Sequence, residues 1–362
     1  METVVLPAVL TIDLGALKRN FQRLATMVFP ASLGAVLKAN AYGLGLTHIV
    51  PTLFSAGCRW FFVAHLAEAR QIQQYLPADV DIVVLNGLLP EERIDDVCST
   101  ITPVINSCDQ YRRWLNTPYH GIASRKLFLQ VDTGMSRLGM TVSEVSSILR
   151  NVPAKCIDSL ILLSHFASAD DPGNESNAHQ LQQLRQCSEI ISCKVSVANS
   201  GAVFLGPNYH GDLVRAGISI FGGSPTIGHR NALEPVVRLD ARIIQIRSIE
   251  SGTAVGYGGT YIAKGMETLA TVSAGYADGL PRSLSNQGSV FYRGVRLPIV
   301  GRISMDSMVV KISALPWKVR YGDTVEILGP NQTIDKLASD ADTISYEILT
   351  KLGSRLHRLY GA

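Results

Sequence analysis

The chain has 362 residues, 46% of them hydrophobic, which is enough for a substantial core and for two domains or one large barrel with an appendage. Its formal net charge of +3 is spread without a Lys/Arg block, which removes the electrostatic ground for a nucleic-acid or anionic-membrane partner and leaves a small molecule as the expected ligand. Six cysteines (Cys58, Cys98, Cys108, Cys156, Cys187, Cys193) form no C-x-x-C pair and no metal spacing with histidine. They read as reduced, packed thiols of a cytoplasmic protein without a metal. No basic-then-apolar leader and no run of roughly 18 apolar residues directs the chain to export or into a membrane.

An extended start over residues 4–13 leads into Leu14, Leu17, Phe21 and Leu24 at helical spacing, with Asp13 as N-cap. Apolar runs then fall at 35–37, 60–64, 82–85, 101–105, 127–131, 160–163, 195–198 and 218–221. Helix-like stretches separate them at 46–56, 66–75, 91–98, 109–115, 142–149 and 177–191. Eight strand–helix units predict an α/β fold with a parallel (β/α)8 barrel; an open doubly wound sheet is the competing topology. Beyond residue 223 the texture becomes β-rich, with strand-like segments at 236–246, 269–274, 288–292, 297–300, 308–312 and 324–328 between Gly, Pro and Asp turns. Helical spacing returns near 334–338 and 346–351. The boundary is placed near residues 228–233, giving a barrel over 1–229 and a β-rich domain over 230–362.

The first apolar run delivers Lys38 and then breaks at Gly43 and Gly45. A lysine at the C-terminal end of a buried parallel strand points into the crevice where ligands bind, and desolvation there favours the nucleophilic amine. A solvated loop lysine is the alternative reading of the same spacing. The residues just after the other runs are informative: Tyr42, the 132–139 segment with Arg137, Ser164-His165, Asn199-Ser200-Gly201 and Arg215-Ala216-Gly217-Ile218. Ser200 with Gly201, and Gly217 with Ile218, supply a hydroxyl and backbone N–H groups at the last two strands, where barrels bind phosphate. A nucleophilic lysine, a phosphate cradle and an arginine behind them are what pyridoxal 5'-phosphate needs.

Seven ordered motifs carry a resemblance: VLKANAYG at 36–43, DTGMSRLG at 132–139, SHFA at 164–167, RAGI at 215–218, VGYG at 255–258, GYADG at 275–279 and GRISMD at 301–306. Together they resemble the alanine racemases, fold-type III pyridoxal-phosphate enzymes, over nearly the whole length. The resemblance implies a head-to-tail homodimer in which the β domain of one subunit covers the barrel mouth of the other. It implies that Lys38 holds the cofactor and is one catalytic base, with Tyr257 the second base, delivered by the partner to the opposite face. A phenol of pKa about 10 is a weak base at neutral pH and needs cationic neighbours, and His165 linked to Arg215 is the family's arrangement for this. Arg215 is expected at the pyridine nitrogen, where a guanidinium donates without releasing its proton. Arg137 and the Met305 N–H are expected at the substrate carboxylate. Tyr42, Ser200, Gly217, Ile218 and Tyr346 are expected at the phosphate, and Tyr276 and Asp306 as supporting residues.

Many family members carry a carbamylated lysine two residues before the aspartate of the 132–139 motif, where this chain has Gln130. Glutamine lacks the carbamate's charge, so a small anion such as chloride is expected between Gln130 and Arg137. The implied activity is interconversion of L- and D-alanine, for peptidoglycan synthesis or alanine catabolism. A serine or broad-specificity racemase is the nearest alternative, and a non-catalytic pyridoxal-phosphate carrier the alternative of another class. An amino-acid decarboxylase on the same scaffold requires specificity motifs that are absent here.

Overall fold

A computed structural model describes residues 6–92, 100–116, 126–226 and 231–361. The chain enters on β1 (Ala8–Asp13) and α1 (Leu14–Val28), where the Asp13 carboxylate accepts the Ala16 N–H at 2.7 Å as the expected cap. Leu17, Phe21, Leu24 and Val28 form the buried face of α1. Eight strands then pair in parallel: β2 (Ser32–Val36), β3 (Trp60–Val63), β4 (Asp81–Val84), β5 (Ile101–Ile105), β6 (Leu127–Gln130), β7 (Leu160–Leu163), β8 (Lys194–Ser196) and β9 (Leu213–Ala216). Their order is β8-β7-β6-β5-β4-β3-β2-β9. The seam between β8 and β9 is held by separate bonds, Asp212 N–H to Val195 O at 2.7 Å and Arg215 N–H to Ala198 O at 2.9 Å. The arrangement is the expected barrel, and its strands are short, continuous apolar runs because both of their faces are covered.

The eighth strand differs from the sequence expectation. It is β9, residues Leu213–Ala216, whereas the apolar run at 218–221 is turn that follows it. Arg215 breaks the apolar signal of β9, yet it is only 3% exposed and finds its acceptors on neighbouring strands. Ile218, Ile220 and Phe221 are apolar because they are fully buried, not because they are extended. The helices expected at 46–56, 66–75, 109–115, 142–149 and 177–191 are present as Leu46–Ser55, Leu66–Gln73, Cys108–Asn116, Val142–Leu149 and Ser176–Ser188. The one expected at 91–98 falls mostly outside the described residues.

The second domain is built on β10 (Val237–Ile249), which pairs with β1 and with β13 (Glu267–Val272) and β17 (Thr324–Leu328). Between β10 and β13 lies a two-stranded ribbon of β11 (Ala254–Val255) and β12 (Tyr261–Ile262). Strands β14 (Ser289–Tyr292), β15 (Val295–Pro298) and β16 (Met308–Lys311) complete the expected set. Two helices, Ile334–Asp340 and Ser345–Lys351, precede a final strand, β18 (His357–Gly361). The start of the chain therefore belongs to this second sheet: β1 lies antiparallel to β10 and parallel to β18. Part of the expected boundary, residues 228–230, lies outside the described residues. Cys58, Cys108, Cys156, Cys187 and Cys193 are free thiols, and no described helix is long and apolar enough to cross a membrane.

Candidate active site

A cavity of about 1150 Å³ opens at the C-terminal ends of the barrel strands. Lys38, Tyr42, Gln130, Arg137, His165, Ser200, Arg215, Gly217 and Tyr346 line it. The cavity thus brings barrel side chains together with Tyr346 of the second domain.

Lys38 follows β2 and opens a left-handed helical turn. Ala39, Asn40 and Ala41 all have φ 54°, and Tyr42 has φ 56°. Each such residue costs roughly 1–2 kcal/mol, because an L side chain's Cβ crowds the next carbonyl. The turn redirects the chain sharply at the barrel mouth. Toward the cavity the Lys38 amine has its pKa lowered, first by desolvation and then by the Arg137 cation, while Glu68 acts in the opposite sense. An amine tuned downward beside a cation is a better nucleophile and base at neutral pH.

Arg215 projects from β9 across the barrel interior. Its Nη1 donates to Ser196 O at 2.8 Å and Ser196 Oγ at 2.7 Å, and its Nη2 donates to Ser164 O at 2.6 Å. Nη2 also reaches His165 Nδ1 at 3.1 Å. A guanidinium cannot accept, so Nδ1 must carry the lone pair. On the other side of the ring, Nε2 faces Asn199 Nδ2 at 3.3 Å. The Asn199 orientation is fixed, since its oxygen accepts the Ala202 N–H and its nitrogen donates to Phe166 O. Donors therefore face both ring nitrogens: the neutral ring leaves one N–H without an acceptor, and an imidazolium would leave two. Burial, then the Arg215, Arg137 and Lys38 cations, hold the His165 pKa down to about 3. His165 is neutral, and the positive charge of this pair resides on Arg215, whose own pKa falls to about 9 by burial alone and which stays protonated at neutral pH.

At the end of the cavity expected to take a phosphate, Ser200 Oγ accepts from the Gly217 N–H at 2.8 Å and from Ser219 Oγ at 3.0 Å. With both lone pairs engaged, the Ser200 proton is free to be donated into the cavity. The Gly217 N–H expected to face a phosphate is thus turned onto Ser200. Glycine is required at 217 because a Cβ would lie 2.1 Å from Tyr42 Oη, and at 201 because a Cβ would lie 2.7 Å from Ala169 O. Tyr42 packs against Phe221 with ring centroids 4.9 Å apart, and burial raises its phenol pKa, so it remains a neutral donor. The Ile218 side chain is fully buried and does not line the cavity, so only its backbone is placed near this end.

The 132–139 loop is built by Asp132, whose Oδ1 accepts the N–H groups of Gly134, Met135 and Ser136 at 2.9–3.1 Å. Gln130 Nε2 donates to Leu138 O at 3.2 Å and so ties the strand end to the residue after Arg137. Below it lies a buried relay that sequence reading missed. Ser164 Oγ donates to Val131 O, Thr133 Oγ1 meets Ser164 Oγ at 2.7 Å, and Gln180 Nε2 reaches Thr133 Oγ1 and His165 O. Two further residues also lay outside the expectation. Glu68 Oε1 accepts the Ala39 N–H at 2.7 Å, and Arg355 joins Asp278 and Asp306, with Nε to Asp278 Oδ1 at 3.0 Å and Nη1 to Asp306 Oδ1 at 2.5 Å. Glu68, third residue of its helix, was open to a capping argument; the Arg355 pairs span 49 and 77 residues and leave no local signal.

Tyr257, Tyr276, Met305 and Asp306 are not brought to the cavity within one chain. Tyr257 is 71% exposed and Met305 53%, both on the second domain. Tyr257 lies between Gly256 and Gly258, both at positive φ, and the Met305 backbone packs on Gly275.

The cavity suits pyridoxal phosphate. It offers a lowered amine, a committed guanidinium at its floor, and an outward hydroxyl beside glycines that admit no side chain. Comparison with known proteins agrees. The family model "Alanine racemase, N-terminal domain" matches residues 12–225, and "Alanine racemase, C-terminal domain" matches residues 236–360. A catabolic alanine racemase of Rhizobium johnstonii is 48% identical over 358 residues, covering 97% of this chain and 94% of that one. A catabolic alanine racemase of Agrobacterium fabrum is 46% identical over 356 residues, covering 97% and 91%. The crystal structure of alanine racemase from Bartonella henselae with covalently bound pyridoxal phosphate superposes with a TM-score of 0.90 at 41% identity, covering 98% of this chain and 99% of that one. Through both of its domains and nearly its whole length, the chain belongs to the alanine racemase family.

Proposed function

We propose that this chain interconverts L- and D-alanine with pyridoxal phosphate carried on Lys38, acting in the cytoplasm as a homodimer with shared sites. The observation that carries the reading is the lowered amine of Lys38 in the same cavity as Arg137, His165 and Arg215. When bound there, the cofactor supplies an electron sink that makes the substrate Cα–H acidic. Lys38 Nζ removes or returns that proton on one face. On the opposite face the proton is handled by Tyr257 of the partner subunit, which explains why Tyr257 stands exposed in the single chain. Two bases on opposite faces are what inversion requires.

Arg215 has both terminal nitrogens committed to protein acceptors and would meet the cofactor's ring nitrogen as a donor that does not release its proton, a setting that would favour proton exchange over transamination. Arg137, at the cavity mouth and bonded to no described side chain, is suited to the substrate carboxylate together with the Met305 N–H of the partner subunit. Tyr276 and Asp306, the latter oriented by Arg355, support that surface. Tyr42, Ser200 and Tyr346 hold the phosphate by their hydroxyls, Ser200 by its outward proton, while Gly217 and Ile218, expected at the same end, shape it through the backbone, the Gly217 N–H orienting Ser200. The Gln130 amide leaves Arg137 without a charged partner, and a chloride between them supplies it. The expected division at 1–229 and 230–362 keeps the barrel strands together in the first part, while β1 belongs with the second domain. Alanine turnover for peptidoglycan and alanine catabolism both fit, and the two relatives quoted are named catabolic.

Absorbance of the purified protein, combined with circular dichroism of L-alanine, tests the reading in the wild type, Lys38→Ala and Tyr257→Phe. A cofactor band lost in Lys38→Ala, with optical activity decaying only in the wild type, is the expected result. A band that persists without loss of optical activity would point to the carrier, and decay on serine at a rate equal to alanine would point to the broad racemase.

A further inference from the structure

The left-handed turn after Lys38 is not secured by its own sequence alone. Within it, Ala41 N–H reaches Leu37 O at 2.9 Å, Gly43 N–H reaches Ala39 O at 2.8 Å and Asn40 Oδ1 accepts the Leu46 N–H at 3.0 Å. At its start, Glu68 spans the gap to the next barrel strand, with Oε1 on Ala39 N–H at 2.7 Å and Oε2 on Ala64 N–H at 2.8 Å. At its end, the fastening comes from the other domain. Arg358 of β18 donates to Gly43 O from Nη2 at 3.0 Å and from Nε at 3.3 Å. The same guanidinium holds Leu352 O at 3.1 Å and Gly353 O at 3.1 Å, so it locks the turn to the segment following the last helix. Two residues on, Tyr360 Oη donates to Leu44 O at 2.8 Å. Its ring stacks on His48 at 4.0 Å, and a Cβ at Gly45 would lie 2.3 Å from its hydroxyl.

All the partners of Arg358 named here are backbone carbonyls, so its charge does not serve an ion pair; what it fixes is where Gly43 sits relative to the second domain. A turn of four left-handed residues relaxes readily once an end is released, because each of them prefers another region of φ/ψ. We propose that Arg358 and Tyr360 are positioning residues for Lys38: the last strand of the second domain fastens the far end of the left-handed turn and so sets the direction of the lysine. This rests on the reading of Lys38 as the cofactor lysine. Through this clamp the second domain acts on the lysine of its own chain, independently of any contribution to a partner.

The test uses the holoenzyme. Borohydride reduction and peptide mapping first locate the cofactor-bearing lysine; a label elsewhere than Lys38 sinks the functional reading and with it the basis of this one. With Lys38 labelled, Arg358→Ala, Arg358→Lys and Tyr360→Phe are compared with the wild type. The comparison covers kcat, KM for alanine, the pH midpoint of the cofactor absorbance band and thermal unfolding. Near-attack geometry is lost steeply with small displacements, so Arg358→Ala is expected to lower kcat about tenfold or more with KM changed less than about threefold. The band midpoint should shift by about half a pH unit or more as the amine's surroundings change. Arg358→Lys, which keeps one donor for Gly43 O, should recover part of both effects. A fall in melting temperature alone, with kcat per bound cofactor and band midpoint unchanged, would mean that Arg358 is only structural and overturns the proposal. If Arg358→Ala does not accumulate, Arg358→Lys and Tyr360→Phe decide it: wild-type kcat and midpoint in both refute the clamp.

Discussion

Acidification should destabilise this protein through His165 before most of its carboxylates are protonated. The ring lies between Arg215 Nη2 at 3.1 Å and Asn199 Nδ2 at 3.3 Å, and its pKa is pushed from 6.5 to about 3. Between those values the unfolded chain binds a proton on this residue and the folded chain does not. Stability therefore rises with pH across the window and is lost as pH falls from about 6.5 toward 3, by up to about 1.4 kcal/mol per unit. From about pH 6.5 to 4.5 the loss from this residue is about 2 kcal/mol. His165→Gln removes the titration and keeps an acceptor within reach of Arg215. Urea unfolding of both proteins at matched concentration, at several pH values across the window, isolates the contribution, since all other titrating groups are common to the pair. The wild type should lose stability more steeply than the variant. Parallel pH dependences would show that His165 is protonated in the folded state, and the donor-on-both-sides argument would be wrong.

Two other perturbations follow from the packing of the site. Gly217→Ala places a methyl 2.1 Å from Tyr42 Oη, and overpacking of about 1–3 kcal/mol should displace that ring. Spectroscopic titration with pyridoxal phosphate should show at least about tenfold weaker binding, whereas unaltered affinity would remove Tyr42 and Gly217 from the phosphate end. Gln180→Leu should strip the Ala167 N–H and His165 O of their partner, costing roughly 2–6 kcal/mol in urea unfolding. A cost near zero would show that the relay through Thr133 and Ser164 does not depend on its glutamine.

The core and the alternation of elements were legible because parallel strands covered on both faces must be written as unbroken apolar runs, as in Phe61-Phe62-Val63 and Leu160-Ile161-Leu162-Leu163. That rule fails where an interior strand carries a charge. Arg215 sits in β9 because the carbonyls of Ser164 and Ser196 lie within its reach, a condition set by residues 51 and 19 positions away. The adjacent buried turn at 218–221 borrowed the apolar signature and was read as the strand instead.

Lys38, Arg137, His165 and Ser200 were legible as site residues because each follows an apolar run, and barrel topology carries every such position to one rim. The sequence by itself determined the periodicity, the order of the strands and the chemical inventory of that rim, since these depend on local patterning. Tertiary structure alone decided the protonation state of His165, which follows from burial and from two donors converging on it, one from β9 and one from the loop after β8, and the pairing of β1 with β18, which joins the two ends of the chain. It alone decided, too, that the turn behind Lys38 is left-handed. Asn40 alone tolerates that conformation locally, whereas Ala39, Ala41 and Tyr42 do not favour it; Glu68 of the barrel meets one end of the turn, and Arg358 and Tyr360 meet the other only once the second domain is folded.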